Sequence, residues 1–184
     1  MELILLHGFD AMPTDLSDVA ESVRSKLNGW AVRTVAGPVD LGGGRRAWWK
    51  EGDPAYPDAR HAVAWVVEQI GTAPAVIAGF SQGGALALAC GFGGEHGAPV
   101  RANVRGIACI GGFVPDEVVI GPSGVALFVG HGAADDVVDV FHAESLGRVA
   151  TRHGVVNEVT IHDGGHEWPD SIIEPLVSWL RGLA

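Results

Sequence analysis

The sequence predicts an α/β protein whose mostly parallel sheet is covered by helices on both faces. Short apolar runs alternate along the chain with longer segments of helical periodicity, which is the order expected when each strand returns through a helix. The apolar runs are nearly continuous, as is typical of strands buried on both faces. With 184 residues, 47% of them hydrophobic, we expect a single domain over 1–184 with a substantial core.

Capping and turn residues divide the chain into elements. The apolar run 2–6 ends at a His-Gly pair, and the helical segment 14–28 begins at Thr14, a candidate N-cap. A loop rich in glycine and tryptophan, 37–55, separates the second strand from a helix that stops at Gly71. Later strands each end in turn residues. The predicted strands are 2–6, 30–36, 75–79, 104–111, 125–130 and 155–161. The predicted helices are 14–28, 57–71, 82–91, 137–153 and 169–182.

Gly79, Ser81 and Gly83 form the pattern Gly-x-Ser-x-Gly between a predicted strand and a predicted helix. In the nucleophile elbow of α/β-hydrolases, a sharp strand-to-helix turn with this pattern exposes a serine hydroxyl at the end of the sheet. The pattern alone is weak, because a serine in an ordinary turn also serves as an N-cap. The strand before Ser81 and the helix after it favour the nucleophile.

A serine nucleophile needs a base, and the base needs an acid that orients it. The last two predicted strands end in loops that carry Asp135 and His166. This order of serine, acid and histidine is that of α/β-hydrolases, and parallel strands bring such loops to one edge of a sheet. Two neighbours compete for these roles, Asp136 as the acid and His162 as the base.

Other polar residues have simpler interpretations. We expect His7 and His131 to anchor loops, and Arg45 and Arg46 to form a solvated pair. The four-residue spacing of His162 and His166 spans a Gly-Gly loop without a convincing third ligand, so no metal site is predicted. No phosphate-binding loop with a lysine is recognisable, and no cofactor is predicted.

Five segments carry a resemblance to a known family. They are Leu6-His7-Gly8-Phe9, Gly79-Phe80-Ser81-Gln82-Gly83-Gly84, Gly112-Phe113-Val114-Pro115, His131-Gly132-Ala133-Ala134-Asp135 and Gly165-His166. Together they resemble the phospholipase/carboxylesterase family, small α/β-hydrolases that include acyl-protein thioesterases and bacterial carboxylesterases. The resemblance implies a minimal α/β-hydrolase fold without a cap domain.

The resemblance also implies roles for individual residues. Ser81 is the implied nucleophile, Asp135 the acid and His166 the base. The backbone N–H groups of Phe9 and Gln82 are the implied oxyanion hole.

Trp48 matches a tryptophan that borders the acyl pocket in this family, and other aromatic side chains would crowd the same pocket. The expected pocket residues are Trp48, Trp49, Phe113 and Trp168. Crowding would favour short to medium acyl chains. The alternative is that Trp48 and Trp49 form a hydrophobic plug under the long loop.

Two departures from the family pattern concern this pocket. The family usually follows His-Gly with an apolar residue, glycine and aspartate, whereas Phe9 is followed here by Asp10-Ala11. The family often has Trp-Phe or Trp-Tyr with an acidic residue nearby, whereas this chain has Trp48-Trp49-Lys50.

Charge and composition narrow the function classes. The net charge is −10, and the 12 lysines and arginines form no long run, which argues against nucleic-acid partners and binding to anionic membranes. No apolar stretch reaches the ~20 residues of a transmembrane helix, and no signal peptide is recognisable. We expect a cytoplasmic protein with reduced, buried Cys90 and Cys109, a monomer or homodimer whose partner is a small acyl ester or thioester.

These observations predict a cofactor-free serine hydrolase that cleaves carboxylic esters of short to medium acyl chains through an acyl-enzyme. The alternatives within the enzyme class are a lysophospholipase and an acyl-protein thioesterase. The alternative from another class is a hydrolase-fold binding protein with little turnover.

Overall fold

Six parallel strands form the central sheet of the protein. The structure, a computed structural model, describes residues 1–94, 99–116 and 118–183. The strands of the described chain are β1 (Glu2–Leu6), β2 (Ala31–Val35), β3 (Val39–Gly42), β4 (Arg45–Ala47), β5 (Ala75–Phe80), β6 (Val104–Ile110), β7 (Ala126–Gly132) and β8 (Asn157–His162). The central sheet has the order β2-β1-β5-β6-β7-β8, and each neighbouring pair is parallel.

Helices cover both faces of this sheet. Their bounds are α1 (Ser17–Lys26), α2 (Ala59–Gln69), α3 (Gln82–Phe92), α4 (Phe141–Arg152) and α5 (Asp170–Arg181). Apolar side chains of α1 and α5 pack on one face, and those of α2, α3 and α4 pack on the other. The predicted α/β class is therefore confirmed, and burial on both faces explains why the strands are nearly continuous apolar runs.

The segment predicted as a loop over 37–55 contains a small hairpin. Strands β3 and β4 pair antiparallel, and Gly42 at the end of β3 and Gly43 and Gly44 after it all have positive φ angles of 65–88°. A three-glycine turn suits such a hairpin because glycine adopts positive φ without steric strain. The hairpin also pairs with the loop after β1, since Arg46 N–H donates to the Ala11 carbonyl at 2.9 Å.

Two predicted helices begin three or four residues later than the sequence indicated, α1 at Ser17 and α4 at Phe141. Thr14 lies in a short 3₁₀-helix, Pro13–Leu16, which precedes α1. Helix α4 begins at Phe141 and not at 137, because the Asp135 carboxylate accepts hydrogen bonds from the N–H groups of Val137 and Val138 and holds them in a turn. Such side-chain bonds to nearby backbone compete with helix formation.

Candidate active site

The turn between β5 and α3 is too tight for side chains on its glycines. A Cβ added to Gly79 would overlap the backbone of Gly83, and one added to Gly83 would overlap the Leu6 carbonyl. Ser81 sits at the apex with φ 54° and ψ −118°, a conformation that L-residues rarely adopt. Its N–H donates to the Ile110 carbonyl at 2.8 Å, which ties the turn to the end of β6.

Asp135 and His166 meet at the ends of β7 and β8. Nδ1 of His166 lies 2.8 Å from Oδ2 of Asp135, and the side chain of Asp135 has no exposed surface. An ionised carboxylate only accepts hydrogen bonds, so Nδ1 carries the proton in this pair. The Nε2 nitrogen of a neutral His166 is then left with a lone pair that can accept a proton.

The surroundings of Asp135 keep its carboxyl group ionised. Burial by itself raises the pKa of Asp135, but hydrogen bonds from the Val138 N–H, His166 and the Val137 N–H together hold that pKa below its ordinary value. Asp136, the competing acid, is exposed to solvent. Of the two neighbouring aspartates, Asp135 is therefore the one placed to orient an imidazole.

A second histidine supports the same carboxylate. His131 is buried, its Nε2–H donates to the Val138 carbonyl at 2.7 Å, and the same nitrogen lies 3.2 Å from Oδ2 of Asp135. His131 is thus a loop anchor, as expected. His162 is also held by its own loop, because its Nδ1 accepts the N–H of Gly164 at 3.1 Å.

His166 lies against the serine turn. Its ring contacts the ring of Phe80 with centroids 4.8 Å apart, and a Cβ on Gly111 would touch both rings. Among the contacts of the described residues, no hydrogen bond joins the Ser81 hydroxyl to His166. Such bonds often form or tighten only when substrate binds, so the catalytic roles of these residues stay predictions.

The loop after β1 reaches the same turn. A Cβ on Gly8 would lie 3.5 Å from the Cβ of Ser81, so the loop that carries Phe9 touches the serine turn one residue before Phe9. Gln82 is the first residue of α3, where a backbone N–H has no acceptor within the helix. Within the described residues, neither of these two N–H groups donates to a protein acceptor. Both are free to bind a negatively charged oxygen.

The four expected pocket residues occupy different environments. Trp48 is fully buried and stacks on His7 with ring centroids 4.8 Å apart. In this conformation it contributes no surface to an open pocket, which matches the alternative that it is a hydrophobic plug. Trp49 and Phe113 are half-buried and meet edge to face at 6.5 Å. Trp168 is also half-buried, but packs toward the core on the α1 and α5 face.

The two arginines of the hairpin form ion pairs. Arg45 binds Asp10 at 2.9 Å, and Arg46 lies 3.8 Å from Asp40. Asp10 has φ 57° and Ser81 has φ 54°, and they are the two non-glycine residues with positive φ in the described chain. Each directly adjoins one of the two free N–H groups, so backbone strain is concentrated around the expected oxyanion hole.

The side chain of Gln82 makes two hydrogen bonds that were not predicted from the sequence. Gln82 as a residue is 7% exposed; its Oε1 accepts the N–H of Trp48 at 2.9 Å, and its Nε2 donates to the Trp49 carbonyl at 2.8 Å. A buried amide must find hydrogen-bond partners. A polar residue at the start of an otherwise apolar helix was therefore the signal in the sequence that could have indicated these bonds.

Comparison with known proteins identifies the family. The family model for phospholipase/carboxylesterase proteins matches residues 60–183, about two thirds of the chain, and that stretch contains Ser81, Asp135 and His166. The chain belongs to the phospholipase/carboxylesterase family. As a member of this family it is a carboxylesterase-type hydrolase.

Solved structures share its fold at low sequence identity. Esterase PE8 is 22% identical over 100% of this chain and 92% of that chain, with a TM-score of 0.79. SOBER1 of Arabidopsis thaliana is 21% identical over 99% of this chain and 98% of that chain, at 0.75. A carboxylesterase of Bacillus cereus is 19% identical over 99% and 88%, at 0.77. These similarities confirm the α/β-hydrolase fold.

No curated protein matches this sequence. Of the helices in the described ranges, none combines the length and the apolar character that crossing a lipid bilayer requires.

Proposed function

We propose that this esterase cleaves carboxylic esters of short to medium acyl chains, with Ser81 as nucleophile, His166 as base and Asp135 as the orienting acid. The observation that carries the proposal is the 2.8 Å contact between His166 Nδ1 and Asp135 Oδ2, with the His166 ring packed on Phe80, the residue before a serine held at φ 54°. Such a constellation is recognised by geometry and roles.

The proposed reaction has two steps. His166 Nε2 takes the proton of the Ser81 hydroxyl while Oγ attacks the acyl carbonyl, and the imidazolium then gives that proton to the leaving alcohol. In the second step His166 takes a proton from water, the hydroxide attacks the acyl-enzyme, and the proton returns to Ser81 as the acid leaves. Asp135 keeps the imidazole in the required tautomer and stabilises the imidazolium.

The negative charge of each tetrahedral intermediate would lie on the former carbonyl oxygen. The N–H groups of Phe9 and Gln82 are the proposed donors to that oxygen. The Phe9 N–H lies in the turn after β1. The Gln82 N–H lies at the N-terminus of α3, which strengthens its interaction with the oxyanion because helix N-termini favour negative charge. Removing one such donor typically costs about 10²–10³ in kcat.

The proposed chain-length limit rests on Trp49 and Phe113. The two rings meet edge to face, and the Trp49 carbonyl accepts a hydrogen bond from the Gln82 side chain, so we place both rings beside the serine turn. Bulky half-buried rings next to the proposed reaction centre would limit the length of the acyl chain that fits, so short acyl groups would bind better than long ones.

A series of p-nitrophenyl esters from acetate to palmitate, with matching acyl thioesters, tests this substrate class. We expect kcat/KM to be highest between acetate and octanoate and to fall steeply for longer chains. A maximum at palmitate would contradict the proposed chain length. A kcat/KM for thioesters at least tenfold above that for esters of the same acyl group would contradict the proposed leaving group.

A further inference from the structure

We propose that the side-chain amide of Gln82 is a positioning group that fixes the two oxyanion donors relative to each other. This inference rests on the proposed function, in which the N–H groups of Phe9 and Gln82 bind the oxyanion. One donor belongs to Gln82 itself. The other lies on a different loop, after β1, so the spacing of the two donors depends on what joins α3 to that loop.

The first link joins α3 to the segment after the hairpin. Oε1 of Gln82 accepts the N–H of Trp48 at 2.9 Å, and its Nε2 donates to the carbonyl of Trp49 at 2.8 Å. One carboxamide thus binds two successive peptide groups, using its acceptor and its donor at once. Because Gln82 and Trp48 are buried, water cannot readily replace these bonds if they are lost.

The second link joins Trp48 to the loop after β1. The indole Nε1–H of Trp48 donates to the His7 carbonyl at 2.7 Å, and the indole ring stacks on the His7 ring at 4.8 Å. Trp48 therefore holds both the backbone and the side chain of His7. An indole is rigid and has few rotatable bonds, so a displacement of Trp48 is transmitted to His7.

The third link reaches the donor itself. Gly37 N–H donates to Nε2 of His7 at 2.9 Å, which leaves the proton on Nδ1, and Nδ1–H donates to the Gly8 carbonyl at 2.7 Å. Burial lowers the pKa of His7, and its hydrogen bond to Gly8 offsets this only in part, so the ring is neutral as this pattern requires.

The Gly8 carbonyl and the Phe9 N–H belong to one planar peptide group. The bond that His7 makes to this carbonyl therefore sets the direction in which the Phe9 N–H points. Hydrogen bonds in such a chain also polarise one another, which strengthens the final donor. The path from Gln82 through Trp48 and His7 to the Phe9 N–H is continuous and buried until its last residue.

Gln82→Met tests this role, because it keeps the backbone N–H and the approximate volume but removes both side-chain bonds. Asn103→Leu is the matched control. The Asn103 amide also bridges two backbone groups, the carbonyls of Gly71 and Ala73. These groups lie at the amino ends of the strands, whereas the expected site lies at their carboxyl ends. Trp48→Phe, which keeps the stack but removes the bond to His7, is a second variant on the same path.

The readouts are kcat and KM for p-nitrophenyl butyrate, normalised to active sites titrated with a fluorophosphonate, and the inhibition constant of butylboronic acid. Boronic acids form a tetrahedral adduct that uses the oxyanion hole. A misplaced donor should cost less than an absent one, so we expect kcat to fall about 10- to 100-fold in Gln82→Met. KM should change less than about 3-fold, and the inhibition constant should rise in step with the loss of kcat/KM.

The controls separate this role from a merely structural one. Asn103→Leu should lower the melting temperature yet keep kcat within about 2-fold of wild type. In the double variant, Trp48→Phe should add little to the loss of kcat caused by Gln82→Met, because both substitutions interrupt the same chain of hydrogen bonds. A Gln82→Met kcat within about 2-fold of the Asn103→Leu value would overturn the inference, as would fully additive effects on kcat. Activity in Ser81→Ala would instead refute the proposed function.

Discussion

Oδ2 of Asp135 lies between two imidazoles, with Nδ1 of His166 at 2.8 Å and Nε2 of His131 at 3.2 Å. Its other oxygen accepts two backbone N–H groups. The carboxylate itself is buried, and of its two imidazole partners His166 is partly exposed whereas His131 is buried. This arrangement gives Asp135 and its exposed neighbour Asp136 different expected roles.

Asp135→Asn should lower kcat for p-nitrophenyl butyrate by about 10³–10⁴, because an amide presents the wrong partner to the required imidazole tautomer. The matched variant Asp136→Asn should keep kcat within about 2-fold of wild type, since Asp136 is exposed. Steady-state kinetics of the two purified variants decide between the acids. The reverse ranking would assign the acid to Asp136.

The stability of the protein should depend on pH through Asp135. Hydrogen bonds lower the pKa of this carboxyl from its ordinary value of 3.8 in the folded protein. Its contribution is therefore present above about pH 4 and is lost as the pH falls through the folded pKa. Urea unfolding between pH 7 and pH 3 should show the free energy of unfolding decreasing more steeply in wild type than in Asp135→Asn. Parallel curves would show that Asp135 contributes nothing to this dependence.

Ser81→Gly should be more stable than Ser81→Ala. The positive φ of Ser81 is strained for any residue with a Cβ, and glycine relieves that strain. A relief of ~1 kcal/mol corresponds to a rise of about 2–4 °C in the melting temperature for a chain of this size. Calorimetry of the two inactive variants measures the difference directly. Equal melting temperatures would mean that the turn stores no strain.

Phe113→Ala should shift the acyl-chain preference toward longer substrates. Removing the ring takes away its edge-to-face contact with Trp49 and should leave more space in the proposed acyl site. We expect the ratio of kcat/KM for the octanoate ester to that for the butyrate ester to rise about 10-fold, a change of ~1.4 kcal/mol in the relative binding of the two transition states. An unchanged ratio would show that Phe113 does not border the acyl site.

Local patterns in the sequence were sufficient to predict the sheet and the elements that deliver the expected site. The strand before Ser81 and the helix after it follow from continuous apolar runs and two glycines. That the loops carrying Asp135 and His166 meet follows from a simple rule, since loops after neighbouring parallel strands lie at one edge. The choice of Asp135 over Asp136 and of His166 over His162 came from the family resemblance. These predictions required no knowledge of distant side-chain contacts.

The hairpin and the contacts of Gln82 depend on information that local patterns do not carry. Strands β3 and β4 have only four and three residues, too few for a periodicity to be recognised. The partners of Gln82 lie more than thirty residues away along the chain. The burial of Trp48 was equally hidden, because a tryptophan in a glycine-rich loop is compatible both with a pocket wall and with a plug.

The most direct test of the account is the reaction of the protein with a fluorophosphonate, followed by peptide mass mapping. The reagent should modify Ser81 stoichiometrically, and Ser81→Ala should lose both labelling and ester hydrolysis while keeping a folded, cooperative thermal transition. Ser178→Ala, which changes an exposed serine on α5, should behave as wild type. Label on another serine, or ester hydrolysis at the wild-type rate in Ser81→Ala, would contradict the account.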